Sequence, residues 1–66
     1  MVTDNSLDRL ETEKFAAEML HVTPGHLRRL RSMRSPRQPK YVRVGGAIRY
    51  RIRDLLAYIE SNTITV

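Results

Sequence analysis

Two threonines mark where helices can begin in the first half of this 66-residue chain, and they limit what that half can fold into. Threonine is a favoured residue immediately before a helix, because its hydroxyl accepts a hydrogen bond from the first turn. Thr12 precedes one candidate helix, over about 13–20. Thr23 precedes another, over about 24–33, and Pro24 suits its first position because the missing N–H would have no partner there. The sequence therefore predicts two short helices joined by a tight turn.

The apolar residues of this segment occupy the positions that a helix-turn-helix needs. Ala17 is small enough to lie where the helices cross, and Val22 fills the turn. Leu27 and Leu30 anchor the second helix. His21 stands where the turn usually has glycine, and a left-handed conformation costs a residue with a Cβ about 1 kcal/mol. The outward face of the second helix then presents Gly25, Arg28, Arg29 and Ser32.

The segment 41–51 alternates like a β-hairpin around two glycines. A two-residue loop would divide the apolar residues between the two faces, whereas a three-residue loop over 45–47 gathers them on one face. We therefore predict the three-residue loop. The apolar face would consist of Val42, Val44, Ile48 and Tyr50. The opposite face would be a basic ribbon of Arg43, Arg49 and Arg51.

A third helix is predicted over 53–61. Apolar residues recur there at positions i, i+3, i+4 and i+7, namely Ile52, Leu55, Leu56 and Ile59. Tyr50 shares the apolar face of the hairpin and Tyr58 shares the apolar face of this helix, so both are expected in the core. Residues 1–9 and 62–66 are expected to be flexible tails, which leaves one domain over 10–61. The predicted fold class is α+β.

The charges are strongly segregated along the chain. Residues 19–53 hold Lys40 and nine arginines without a single acid, both flanking segments are acidic, and the net charge is +5. Such a block repels itself unless it meets a polyanion, and the arginine fork suits phosphate. Further candidate phosphate contacts are Thr23, Arg31, Arg34, Arg37, Lys40 and Tyr41. His26 could contact a phosphate or pack at the boundary of the core.

Several classes of function are disfavoured. A chain this short has little room for a deep catalytic pocket, so we expect no enzyme, no catalytic residues and no small-molecule ligand. It has no cysteine, and His21 and His26 do not share a helical face, so we expect no metal site and no cofactor. No apolar run is long enough to cross a bilayer, and the polar start does not look like a signal peptide. A cytoplasmic, nucleoid-associated protein is expected.

The order of motifs resembles a known family. Three runs carry the resemblance: ETEKFAAEMLHVTPGHLRRLR, YVRVGGAIRYR and RDLLAYIE. They look like the small winged-helix proteins of the phage and plasmid excisionase family. The fold of that family is related to the DNA-binding part of MerR-type regulators. The resemblance implies a winged helix-turn-helix, with the second helix in the major groove and the hairpin as a wing. Carried over, the groove residues would be Pro24, Gly25, Arg28, Arg29 and Ser32. The wing residues would be Arg43, Gly45, Gly46, Arg49 and Arg51.

The chain departs from the family's pattern at His21, at Arg53, where a serine N-cap is common, and in the long connector over 34–40. The expected function is sequence-specific binding of double-stranded DNA as an excisionase-type, DNA-bending factor that self-associates on DNA beside an integrase. The alternatives are a small phage or plasmid transcriptional regulator that works with RNA polymerase, or an RNA-binding module. A membrane-bound basic helix fits less well, because it would leave the hairpin and the third helix without a role.

Overall fold

Three α-helices and a three-stranded antiparallel sheet make up residues 6–64, the part of the chain that this computed structural model describes. The helices are α1 (Glu13–Leu20), α2 (Pro24–Ser32) and α3 (Ile52–Ser61). The strands are β1 (Leu10–Glu11), β2 (Val42–Val44) and β3 (Ala47–Arg51). A 3₁₀ turn, Ser6–Asp8, precedes β1. The α+β class is confirmed, while the predicted flexibility at 1–5 and 65–66 concerns residues outside the described range.

The first two helices begin as their caps predict. The Thr12 hydroxyl accepts a hydrogen bond from the Phe15 N–H at 3.1 Å, and the Thr23 hydroxyl accepts one from His26 N–H at the same distance. Each cap satisfies a backbone donor that would otherwise lack a partner. The predicted bounds of all three helices agree with the structure to within one residue.

Both α1 and α2 end at a residue in the left-handed conformation that is not glycine. His21 has φ 58° after α1, and Arg34 has φ 52° shortly after α2. At each end, this residue and the one after it donate backbone hydrogen bonds back into the final turn of the helix. The expected left-handed conformation at His21 is therefore confirmed, and it turns the chain from α1 toward α2.

The predicted register of the hairpin is wrong. Val42 pairs with Arg49 and Val44 with Ala47, so Gly45 and Gly46 alone form the loop. Gly45 has φ 62°, the positive value that two-residue hairpin turns need at their first loop position.

The prediction failed because it assumed that both valines are buried. Val44 is 53% exposed, and the inward face instead carries Tyr50, with Tyr41 against it at 6.2 Å between ring centroids. The tight glycine turn and the tyrosine pair thus determine the register, at the expense of an exposed valine. Arg43 consequently lies on the face of Ile48 and Tyr50, and Arg49 and Arg51 lie on the other face.

The core is thin. Five apolar residues are at most 1% exposed, and they come from four elements: Ala16, Ala17, Leu27, Tyr50 and Leu55. Val22 and Leu30 pack against this cluster as predicted. Ala17 is 1% exposed and α1 packs against α2, while its predicted place at the helix crossing stays a prediction. Tyr58 is only half-buried, so of the two predicted core tyrosines Tyr50 alone is confirmed.

The chain segment before α1 packs onto the rest of the fold, which the sequence did not predict. Strand β1 pairs with β3, placing Leu10 opposite Arg51, and this puts β3 in the centre of the sheet. Asp8 accepts a hydrogen bond from Arg53 at 2.8 Å, and this bond lowers the pKa of Asp8. Arg53 thus ties α3 to the 3₁₀ turn. It lies inside α3 and not at the N-cap position expected for it, because the N-cap is Arg51. Within residues 6–64, no helix is long and apolar enough to cross a membrane.

We predict that His21→Gly raises the free energy of unfolding by about 0.5–1 kcal/mol, because glycine adopts a positive φ without a steric penalty. Urea denaturation followed by circular dichroism measures the change. Glu18→Gly, inside α1, should lower the free energy of unfolding by about 1 kcal/mol, since glycine is unfavourable in a helix interior. Two changes of the same sign would contradict the assignment of strain to His21.

Candidate nucleic-acid interface

An open cleft of about 540 Å³ lies between helix α2 and the β2–β3 hairpin. Four arginines line it, two from α2, one from the connector that follows and one from β2. The lining residues are Arg28, Arg31, Ser32, Arg34, Tyr41, Arg43 and Ile48. We call this feature the arginine cleft. Its lining contains no acidic residue, and although Glu13 pairs with Arg28 and Arg31 behind it, the cleft keeps a net positive charge.

Arg31 forms the floor of the arginine cleft and is fixed there by three partners. Its guanidinium forms an ion pair with Glu13, donates to the Tyr50 hydroxyl at 2.9 Å, and lies 5.7 Å from the ring centre of Tyr41. Its side chain is only 16% exposed. Burial lowers the pKa of Arg31, but the hydrogen bonds to Glu13 and Tyr50 outweigh this and raise it. The geometry therefore favours a structural role over the predicted phosphate contact.

Tyr50 and Tyr41 complete this floor. Burial raises the pKa of the Tyr50 hydroxyl, even though Arg31 donates to it. Tyr41 is half-buried against Tyr50 and Arg31, with its ring tilted by 54° to that of Tyr50. Tyr41 thus supports the cleft from within and also lines it, so the predicted phosphate contact at Tyr41 stays a prediction.

Arg28 differs from Arg31, although both contact the same carboxylate. The Arg28 Nη1 donates to Glu13 at 3.1 Å, but the side chain is 62% exposed. Arg28 is therefore directed along the helix toward α1 and the cleft rather than straight out from α2. The role of Glu13 was not predicted; in the sequence it stands only as an acid in the first turn of α1.

The structure separates the basic residues into those with internal partners and those without. Acids of the flanking segments pair with five of the arginines: Arg9, Arg28, Arg31, Arg51 and Arg53. Within the described residues, the basic side chains from 19–53 that make neither an ion pair nor a side-chain hydrogen bond are Arg29, Arg34, Arg37, Lys40 and Arg43. All five lie on α2, the connector or β2. Of these five, Arg34 and Arg43 line the arginine cleft, whereas Arg37 and Lys40 lie beside α3.

The predicted basic ribbon on the hairpin does not exist as one face. Arg43 points to the side of α2 and lines the cleft. Arg49 lies on the opposite face and donates to the Ile48 carbonyl at 2.8 Å. Arg51 pairs with Asp54 at 3.5 Å. The structure therefore brings only Arg43, of the three predicted wing arginines, together with the arginines of α2.

The first turn of α2 is largely exposed, and no neighbouring atom crowds its backbone at Gly25. Thr23 is exposed and uses its hydroxyl as the helix cap, Pro24 is half-buried at the first helical position, and His26 is exposed. A Cβ on Gly25 would meet its nearest atom, Arg28 Nη2, at 3.8 Å, an ordinary contact. The fold itself therefore does not require glycine at position 25. Close approach of a ligand would explain it.

The remaining predicted residues fall on two loops. Arg37 and Lys40 are exposed on the connector, on either side of the buried Pro39. Gly45 and Gly46 form the exposed tip of the hairpin, where a Cβ on either residue would have no neighbouring atom within 4 Å. In the range 6–64, no group of three or more potential ligands could hold a metal ion.

Comparison with known proteins finds no match to this chain among protein-family models, curated proteins or solved structures.

We predict that Arg31→Ala lowers the free energy of unfolding by about 2–3 kcal/mol, because it removes a shielded ion pair and the hydrogen bond to Tyr50. Arg29→Ala, on the same helix but without a partner, should change it by less than about 0.5 kcal/mol. Chemical denaturation of both variants measures the difference. Equal effects would show that the Arg31 contacts do not stabilise the fold.

Proposed function

We propose that this protein binds double-stranded DNA as a small winged helix-turn-helix. Helix α2 enters the major groove, and the β2–β3 hairpin acts as a wing along the neighbouring backbone. A helix of this width fits the major groove, and the short α1 would cross the backbone beside it.

One observation carries the proposal, namely that the basic side chains of 19–53 without partners in residues 6–64 all lie on α2, the connector and β2, with Arg34 and Arg43 in the arginine cleft. A fold that needed these charges for its own stability would pair them, as it pairs Arg31 and Arg53. Unpaired guanidinium groups beside an open cleft are suited to the phosphates of a nucleic acid backbone. Duplex DNA offers such phosphates on both sides of the groove that α2 would enter.

Base readout would come from the outward face of α2. Arg29 is the best candidate for a bidentate contact with guanine, because no internal partner holds it. Ser32 lies one turn further along and could contact a base edge or a phosphate. Gly25 would allow the backbone to approach a phosphate at the start of the helix, where the dipole favours an anion.

The test is competition for binding between duplex DNA, single-stranded RNA and anionic lipid vesicles, combined with a salt titration on the duplex. We expect duplex DNA to win. About six phosphate contacts predict a slope of log K against log salt near −5. A salt-insensitive complex, or preference for RNA or vesicles, would refute the proposal.

A pair of variants with equal loss of charge makes this test specific for the arginine cleft. Arg43→Gln should weaken binding to all duplexes alike and reduce the slope by about 0.9, the contribution of one phosphate. Arg53→Gln removes the same charge, but from a residue of α3 that is already paired with Asp8. It should leave the slope unchanged.

On DNA, we propose further that the protein acts as an excisionase-type accessory factor in recombination. This rests on the resemblance of its motifs and on size, since one recognition helix and one wing cover only about 10 base pairs. So short a site is not unique in a genome, and several copies bound side by side would supply the missing specificity. A transcriptional regulator acting as a single dimer is the alternative.

Footprinting on a natural site distinguishes these two roles. We expect cooperative, extended protection with phased hypersensitivity, because adjacent copies would bend the DNA. A single compact footprint with two-fold symmetry and no bend would favour the dimeric regulator instead.

A further inference from the structure

We propose that Arg28 exchanges partners on binding, leaving the carboxylate of Glu13 for a DNA phosphate, and that Glu13 thereby limits the affinity of the protein for DNA. Glu13 is then an internal competitor for one of the arginines that bind the backbone. This inference rests on the proposed function, but the experiment below separates the two.

The two contacts of Glu13 are unequal, and this inequality makes an exchange possible. Its Oε1 accepts from the exposed Arg28 at 3.1 Å, and its Oε2 accepts from the largely buried Arg31. Arg28 has no other side-chain partner within the described residues, whereas Arg31 is also held by Tyr50 and Tyr41. A phosphate in the arginine cleft can therefore attract Arg28 without disturbing Arg31.

The Glu13 carboxylate keeps one cationic partner, Arg31, when Arg28 leaves. The Glu13 side chain is only 17% exposed, and an unpaired carboxylate there would be unfavourable. Because Arg31 remains bound to Oε2, the charge of Glu13 stays balanced. The buried pair thus lets Glu13 exchange its second, exposed partner at low cost.

The expected size of the effect follows from the exposure of Arg28. Exposed ion pairs are weak and correspond to about a 1.4- to 5-fold change in an equilibrium constant. Removing the carboxylate should therefore tighten DNA binding by a factor of this size, plus the general effect of losing one negative charge.

The experiment compares Glu13→Gln with Glu18→Gln at about 0.1 M salt on the same duplex. Glutamine keeps an oxygen that can accept from Arg31 but loses the ion pair, so a thermal melt first establishes that the variant is folded at the temperature of the binding assay. Glu18 lies exposed on the same helix and makes no ion pair within residues 6–64, so its variant measures the general charge effect. We expect Glu13→Gln to tighten binding about two- to fivefold beyond Glu18→Gln.

Arg28→Gln completes a double-mutant cycle. In that background, Glu13→Gln should have no more effect than Glu18→Gln, because there is no longer an arginine to release. Weaker or unchanged binding by Glu13→Gln alone, or an equal gain without Arg28, would overturn the inference. Failure of the wild-type protein to bind any duplex would refute the proposed function itself, which is a different result.

A measurement on the wild-type protein does not depend on the variants folding. NMR of arginine Nε–H groups and of the Glu13 carboxyl carbon can be followed while duplex DNA is added. We expect the Arg28 and Glu13 signals to shift and the Arg31 signal to stay protected from exchange. An Arg28 signal that does not respond to DNA would overturn the exchange.

Discussion

The ion pair of Arg31 with Glu13, together with the hydrogen bond from Arg31 to Tyr50, is the interaction on which the rest of this structure depends. It joins α1, α2 and the central strand of the sheet beside a small core, which in residues 6–64 is a cluster of five buried apolar residues. A core that thin leaves the angle between α2 and the hairpin weakly determined by apolar packing alone. The shielded polar contacts are directional, so they can hold the two walls of the arginine cleft in a defined relation.

The pairing of charges also decides which arginines can reach a ligand. The sequence separates acids from bases along the chain, and folding brings the acidic flanks against part of the basic block. Asp8 forms an ion pair with Arg53, and Asp54 forms one with Arg51. Glu13 pairs with the shielded Arg31 and, more weakly, with the exposed Arg28. The basic side chains of this block that have no partner within the described part of the chain lie on α2, the connector and β2. The proposed DNA-binding surface is therefore what remains of the basic block after the flanks have neutralised the rest.

The hairpin shows where reasoning from the sequence failed and why. Parity of apolar residues favoured a register with both valines buried, since burial of apolar surface is normally favourable. The register is instead set by the Gly45–Gly46 turn and by the contact of Tyr41 with Tyr50 and Arg31. The two-residue glycine turn was visible within the hairpin and was set aside in favour of apolar parity, whereas the contact with Arg31 involves α2 and could not be read from the hairpin alone. The predicted register had placed Arg43 on the same face as Arg49 and Arg51. In the structure Arg43 lies on the opposite face and lines the arginine cleft.

Helix bounds, the threonine caps and the left-handed His21 could all be predicted, because each depends on residues within about one turn of the chain. The basic block could also be read directly, since the formal charge of the segment does not depend on the fold. The tertiary structure alone decided the hairpin register, the pairing of β1 with β3 and the partners of Glu13. These depend on contacts between residues that are distant in sequence, such as Glu13 with Arg31 and Arg31 with Tyr50. A local sequence pattern does not show which distant side chain completes a hydrogen bond. For this reason only the folded structure shows that Arg28 is exposed and Arg31 is largely buried.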